Sequence, residues 1–266
     1  MKIILDPVDP QSIFNKSKEI NNINLDKEYK DIILHHSSKA GISGIINPFS
    51  RKECDFGQGF YMGTSDLQTQ SLVVEKEFPN PTYYKLMVKL SEIPDKNILF
   101  LDKMNWTYFV LYNRGILNSY KNTSLYRYYS HLADNKDVII GPIADDNMRS
   151  ALLDFEEGYI TDKTLMDCLS SVDYGMQYVA KTSYACSKIE ILEERKLDNP
   201  KELKKIREYS GDRRNKGETM YREIRKRNLR VGNFLDELLE KDDFEIEIKN
   251  DNNIGDDNYE RSWSTL

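Results

Sequence analysis

The chain has 266 residues, 39% of them hydrophobic and 31% charged, with a formal net charge of -6. That length and apolar content can fill one sizeable core with an appendage, and the negative balance excludes a molecule that clings to phosphate backbones over its whole surface. Three cysteines, Cys54, Cys168 and Cys186, lack the paired short spacing of metal or redox motifs, so they read as reduced thiols of a cytoplasmic protein and no metal is expected.

The start, Met1 to Leu5, is apolar but is broken at once by Asp6 and Pro7, and no later apolar run approaches a membrane span. A soluble chain with no membrane partner is the expectation. Residues 1–30 are a polar, Asn- and Lys-rich lead-in. Asp31 to His35 then has the apolar density of a buried strand and opens a domain expected over residues 31–197. Gly41 to Ser50 reads as a loop, and Asp66 to Lys76 as a helix capped by Thr64 or Ser65.

Thr82 to Leu90 and Asn97 to Asp102 read as neighbouring strands, rich in β-forming residues. Trp106 to Tyr112 has helical spacing and core aromatics, with Asn113 and Arg114 ending the helix. Lys136 to Pro142 is a buried strand stopped by Gly141 and Pro142, and helices follow over Asn147 to Glu157 and, capped by Thr161, to Leu169. A loop with Asp173, Tyr174 and Gly175 leads to strands at Gln177–Ala180 and Ile189–Leu192. Short helices alternating with several strands favour an α+β class.

Past Leu197 the composition changes, giving a third segment over residues 198–266. Lys201 to Arg230 is basic and helical in pattern, with a narrow apolar stripe of Leu203, Ile206, Tyr209, Met220, Ile224 and Leu229; Asp236 to Glu260 is acidic. Such a helix needs something to pack against. Its charge would guide an RNA or DNA acceptor, be neutralised by the acidic segment of the same chain, or dock an acidic partner; neutralisation within the chain is the favoured reading.

The richest stretch for chemistry is Asp55-Phe56-Gly57-Gln58-Gly59-Phe60-Tyr61, which follows His35-His36-Ser37-Ser38. Two glycines one residue apart let backbone approach a ligand, and the Phe-Tyr pair that follows presents an aromatic face to a flat cationic ring. Each piece also has a plain reading. His36 fits as a satisfied core histidine, the glycines as a turn or bulge, Tyr61 as core, Gln177 as a hydrogen-bonding edge residue, and Asp145-Asp146 as a helix cap.

The ordered set His36-Ser37-Ser38, Gly57-Gln58-Gly59-Phe60-Tyr61 and Gln177-Tyr178-Val179 resembles the ADP-ribosyltransferase superfamily, in the branch of diphtheria toxin and the poly(ADP-ribose) polymerases, which uses a histidine, a tyrosine and a glutamate. More closely, it resembles a bacterial domain family that pairs Gly-x-Gly-Phe-Tyr with Gly-Pro-x-Ala-Asp-Asp, here Gly141 to Asp146. The resemblance covers roughly Asp31 to Leu192. It implies split antiparallel β-sheets with short flanking helices, the C-terminal segment being a charged, mainly helical extension.

It further implies NAD as co-substrate, bent into a cleft between the sheet halves, with His36, Tyr61 and Gln177 as catalytic residues. His36 would hold a ribose hydroxyl, the backbone beside Ser37 would grip the nicotinamide carboxamide, Tyr61 would stack on the nicotinamide, and Ser38, Gly57 and Gly59 would complete the NAD-binding set. Thr69 falls where the polymerase branch places a hydroxyl. Two positions depart from the pattern: Leu72 stands for a second aromatic, and Gln177 for the glutamate. A carboxylate opposes the positive charge that develops on the ribose better than an amide does, so Gln177→Glu is expected to keep or raise nicotinamide release, and Asp145, Asp146 or Asp173 are candidate substitutes.

On this resemblance the expected activity is transfer of single ADP-ribose units to a macromolecular acceptor, protein or nucleic acid. The loop Ser170 to Met176, with Asp173 and Tyr174, would read that acceptor. Bacterial relatives include toxins, toxin–antitoxin effectors and anti-phage proteins, which makes a neutralising antitoxin or regulatory partner an expectation. The alternatives are a module that holds NAD or ADP-ribose without chemistry, and an NAD glycohydrolase.

Overall fold

The computed structural model describes residues 29–74, 80–144 and 149–240. Among the described residues seven strands form one sheet: β1 (Ile32–Ser38), β2 (Phe60–Gly63), β3 (Thr82–Val88), β4 (Ile98–Phe100), β5 (Val138–Pro142), β6 (Met176–Ala180) and β7 (Ile189–Lys196). Their order is β4-β5-β6-β2-β1-β3-β7, antiparallel except for the parallel β4–β5 pair. The class is therefore α+β with a mostly antiparallel sheet and flanking helices.

The helices are α1 (Asp66–Val74), α2 (Lys103–Asn113), α3 (Ser124–His131), α4 (Arg149–Glu156), α5 (Asp162–Leu169), a single turn α6 (Ser183–Cys186), α7 (Pro200–Arg227) and α8 (Leu235–Leu239). Several of their starts carry side-chain caps that satisfy free amides. Ser65 Oγ accepts from the Gln68 N–H, Asp102 from Met104 and Asn105, Thr161 from Thr164, and Asn199 from Lys201 and Glu202. The α2 aromatics Trp106, Tyr108 and Phe109 are buried as expected, and Arg114 caps that helix at its C-terminus.

One side of the sheet is sealed by Leu34, Phe60, Met62, Tyr84, Leu86, Val138 and Ile140. A second cluster, Val73, Val74, Tyr83, Leu197 and Ile206, joins α1 to α7. The basic helix thus finds its partner: α7 packs on α1 and α5, and the described residues form one compact unit that runs through position 198. Ile206 and Ile224 are buried, whereas Leu229, expected in the stripe, is 71% exposed because it lies beyond the end of α7.

Two details differ from the sequence reading. The last strand runs on to Lys196, since Glu193, Glu194 and Arg195 suit an exposed edge where charge blocks further pairing. Helix α3 lies in a stretch for which no element was expected, although its buried Leu125 and Tyr129 stand at the i, i+4 spacing of a helix. The start expected at Asn147 lies outside the described residues, within which that helix runs over Arg149–Glu156.

The pairing at the centre of the sheet is uneven. β1 pairs with β3 over its whole length, Ile32↔Val88 to Ser38↔Thr82, but with β2 at His35↔Gly63 alone. Beyond that position the two central strands part. A gap opens between Ser37 and Ser38 on one side and Phe60 and Tyr61 on the other.

Candidate functional site

The loop that enters β2 is built by its glycines. Gly57 has φ +69°, the left-handed region, and a Cβ there would sit 2.7 Å from Asn113 Oδ1. At Gly59 a Cβ would lie 2.5 Å from Val179 Cγ1 and 2.9 Å from the Ala180 carbonyl, so only glycine lets the loop lie this close to β6. Lys181 Nζ donates to the Phe56 carbonyl at 2.5 Å, and burial pulls its ammonium down to about 8.

The same loop holds Tyr61. Its hydroxyl donates to the Gly57 carbonyl at 2.6 Å and accepts from the Phe56 N–H at 2.9 Å. Burial pushes the phenol far above its usual range, so it stays protonated and acts here as a wall and a clasp rather than as an acid.

His36 projects at the gap, with its ring centroid 4.5 Å from that of Phe60 and 6.1 Å from that of Tyr84. Its Nδ1 lies 2.7 Å from the Tyr61 carbonyl, which only accepts, so Nδ1 carries the hydrogen. Burial lowers the imidazole below its ordinary 6.5, against a smaller opposite effect of that hydrogen bond. His36 is thus a neutral Nδ1–H tautomer whose Nε2 is an acceptor suited to a hydroxyl.

A cavity of about 240 Å³ lies here, lined by His36, Ser38, Ile42, Phe49, Gly59 and Tyr61 among others. Ser38 Oγ donates to the Gly41 carbonyl at 2.9 Å. Ser37 Oγ is buried at the gap with no hydrogen-bond partner among the described residues, a cost of about 1–3 kcal/mol that a polar ligand group would relieve. Exposed Ile45 and Phe49 give the rim an apolar edge.

Strand pairing sorts the remaining residues by side. His35, Gly63 and Gln177 occupy one row across β1, β2 and β6, and Tyr61 pairs with Val179 two positions on. Because side chains alternate along a strand, Tyr61 and Gln177 issue from one side of the sheet and His36 from the other. The structure therefore does not place His36 and Gln177 in one pocket; it sets them on opposite sides of the gap. Thr69, buried on α1, lies with Tyr61 and Gln177, its Cγ2 3.1 Å from where a Gly63 Cβ would be. Leu72 is 55% exposed and covers no ring as the protein stands.

Gln177 is 5% exposed and donates from Nε2 to Asp55 Oδ2 at 3.1 Å and to the Pro142 carbonyl at 2.8 Å. Asp55, also buried, receives Arg114 Nε at 2.9 Å and Nη2 at 2.5 Å on Oδ1. Sequence reasoning included Asp55 in the glycine-rich stretch without giving it a role, and gave Arg114 only the end of a helix. The available signal was slight: an acidic residue directly before Phe56-Gly57, and an arginine just past a largely apolar helix.

Asp173 and Tyr174 are close to α7. Arg213 lies over the Tyr174 ring at 4.8 Å and the Tyr209 ring at 4.6 Å, and donates to the Asp173 carbonyl. Tyr174 is 6% exposed, and the Asp173 carboxylate accepts from the Gly175 N–H at 2.7 Å. Asp145 and Asp146 lie outside the described residues. A larger cavity of about 440 Å³ lies between α2, α5 and α7, beside an ion-pair cluster of Lys103, Asp167 and Arg227, and holds none of the expected NAD-binding residues. Among the described residues no group of three or more His, Cys, Asp or Glu side chains is placed to hold a metal ion, and no helix is long and apolar enough to cross a membrane.

Residues 32–191, from the start of β1 into β7, match the model of a family described as proteins of unknown function, DUF3990. That is more than half of the chain, and the chain belongs to this family. No curated protein and no solved structure matches it.

Proposed function

We propose that this DUF3990 protein binds NAD across the gap between β1 and β2 and transfers its ADP-ribose, singly, to a macromolecular acceptor. The observation that carries the reading is the gap itself: two central strands that share one paired position and then separate, with neutral His36, the unpartnered Ser37 hydroxyl and Tyr61 around the opening. The order of motif strands, β6-β2-β1 side by side, supports it as well.

In this reading the ADP-ribosyl part occupies the His36 cavity, where Nε2 accepts a ribose hydroxyl, and the nicotinamide lies on the other side of the gap, near Ser37, Thr69, Tyr61 and Gln177. The ring of Tyr61 offers a cationic heterocycle an attraction of about 0.5–2 kcal/mol. When the ribose–nicotinamide bond breaks, its electron pair leaves on the ring nitrogen as neutral nicotinamide. The acceptor's nucleophile bonds to the anomeric carbon and gives up its proton. Gln177 Oε1 accepts from the ribose as positive charge develops there. Binding a bent dinucleotide through both sides of a sheet also fixes the reacting geometry.

The acceptor is proposed to be read at Ser170–Met176, which α7 borders through Arg213. A toxin or anti-phage effector held in check by a partner protein fits an activity of this kind. A second reading, a module that binds NAD without chemistry, is favoured by the neutrality and burial of Gln177. Release of nicotinamide from NAD separates the two.

A further inference from the structure

We propose that Asp55 is a positioning residue for Gln177, and that the Asp55–Gln177 pair does together what a single glutamate does in the superfamily this chain resembles; the inference rests on the NAD reading above. Both hydrogens of Gln177 Nε2 are engaged, one by Asp55 Oδ2 at 3.1 Å and one by the Pro142 carbonyl at 2.8 Å. Neither acceptor has a hydrogen to offer an oxygen. Reversing the amide would set Oε1 against both, so the chemistry of the neighbours fixes which end faces them.

The carbonyl oxygen is thereby turned away from Asp55, and it accepts from no described residue. The residues paired with Gln177 on either side are both glycines, Gly63 and Gly141, so no β-carbon crowds it. Phe56 fills the Gly141 side, its Cζ 2.8 Å from where a Cβ would be, while Thr69 lies beside Gly63. Arg114 holds Asp55 through Nε and Nη2 on the one oxygen that Gln177 does not use. A chain of charge and hydrogen bonds runs from the partly exposed Arg114 through the buried Asp55 to the buried Gln177, and it ends on an amide oxygen free to accept.

This arrangement reverses the expectation for Gln177→Glu. A carboxylate at position 177 would face the Asp55 carboxylate at about hydrogen-bond distance and leave the Pro142 carbonyl without a donor, with both side chains largely buried. Adding Asp55→Asn in the same chain supplies an amide that donates to the carboxylate introduced at position 177 and keeps the net charge of the pair. The double substitution exchanges the two side chains' chemistry.

The test uses four full-length proteins, wild type, Asp55→Asn, Gln177→Glu and Asp55→Asn/Gln177→Glu, read by thermal midpoint and by nicotinamide release from NAD. Each single substitution is expected to lower the midpoint by several degrees, and the double to recover part of the loss, the sign of direct coupling. Gln177→Glu is expected to lower kcat on the order of tenfold or more with KM for NAD within about threefold, and the double to recover most of kcat. Additive midpoint losses, or a Gln177→Glu protein as active as wild type, overturn the proposal. Coupled midpoints in a wild-type protein that releases no nicotinamide overturn the NAD reading and leave the Asp55–Gln177 pairing standing.

Discussion

At the scale of single residues, the site is held by groups whose alternatives are sterically or electrostatically expensive. Gly59 is the sharpest case, because a methyl group there would meet both Val179 Cγ1 and the Ala180 carbonyl. Gly59→Ala is expected to destabilise the protein by about 1–3 kcal/mol in urea unfolding, the cost of overpacking against backbone that has no room to yield. An unchanged midpoint would show that the loop is not seated on β6. His36 gives a pH signature. Its imidazole sits below the ordinary 6.5 in the folded protein, so between that lower value and 6.5 the unfolded chain binds a proton that the native state refuses. Stability from this source is present above pH 6.5 and declines as pH falls below it. His35 is shifted the same way, also mainly by burial, so the informative measurement is a difference. Between pH 7.5 and 5.5 the wild type should lose more thermal stability than His36→Asn, and equal losses would contradict a neutral, partly buried His36.

At the scale of elements, α7 is both a structural partner of α1 and α5 and a cover for the loop before β6. Arg213 is sandwiched with Tyr174 and Tyr209, an arrangement in which planar guanidinium and aromatic faces attract. Removing it in Arg213→Ala should speed amide hydrogen exchange in residues 170–176 on the order of tenfold, since local opening no longer breaks those contacts. Unchanged protection would show that α7 does not hold the loop. The strands β1, β3, β4 and β5 were legible because each is a run of apolar or β-forming residues bounded by turn signals. The end of β7 and helix α3 were not, because an exposed edge strand reads as polar chain, and the apolar stripe of Ser124–His131 is short, Leu125 and Tyr129 one turn apart.

At the scale of the whole molecule, the same distinction governs the site. His36, Tyr61 and the glycines between them could be read from order along the chain, since each belongs to a local pattern. Asp55, Arg114 and Gln177 could not be read as a set, because residues 59 and 122 positions apart meet only when β6, the β2 loop and the end of α2 are assembled. Nor could spacing show that His36 and Gln177 face opposite sides of the sheet, which follows from the His35↔Gly63↔Gln177 row. Charge is likewise settled by assembly. The formal net charge is -6, yet α7 is basic, and the partners seen for Arg225 and Arg227 are Asp154 and Asp167 of α4 and α5. The acidic segment expected to neutralise this helix lies, beyond Glu240, outside the described residues.

The central claim is that the gap between β1 and β2 holds NAD in position for loss of nicotinamide. It is tested most directly by incubating the full chain with NAD labelled in the nicotinamide ring and measuring free label, beside a His36→Ala protein shown by circular dichroism to be folded. The account predicts release by the wild type and a fall on the order of a hundredfold in His36→Ala, the scale expected when a group that positions the reacting sugar is lost. No release above the blank from folded wild type, or release undiminished in His36→Ala, would contradict it.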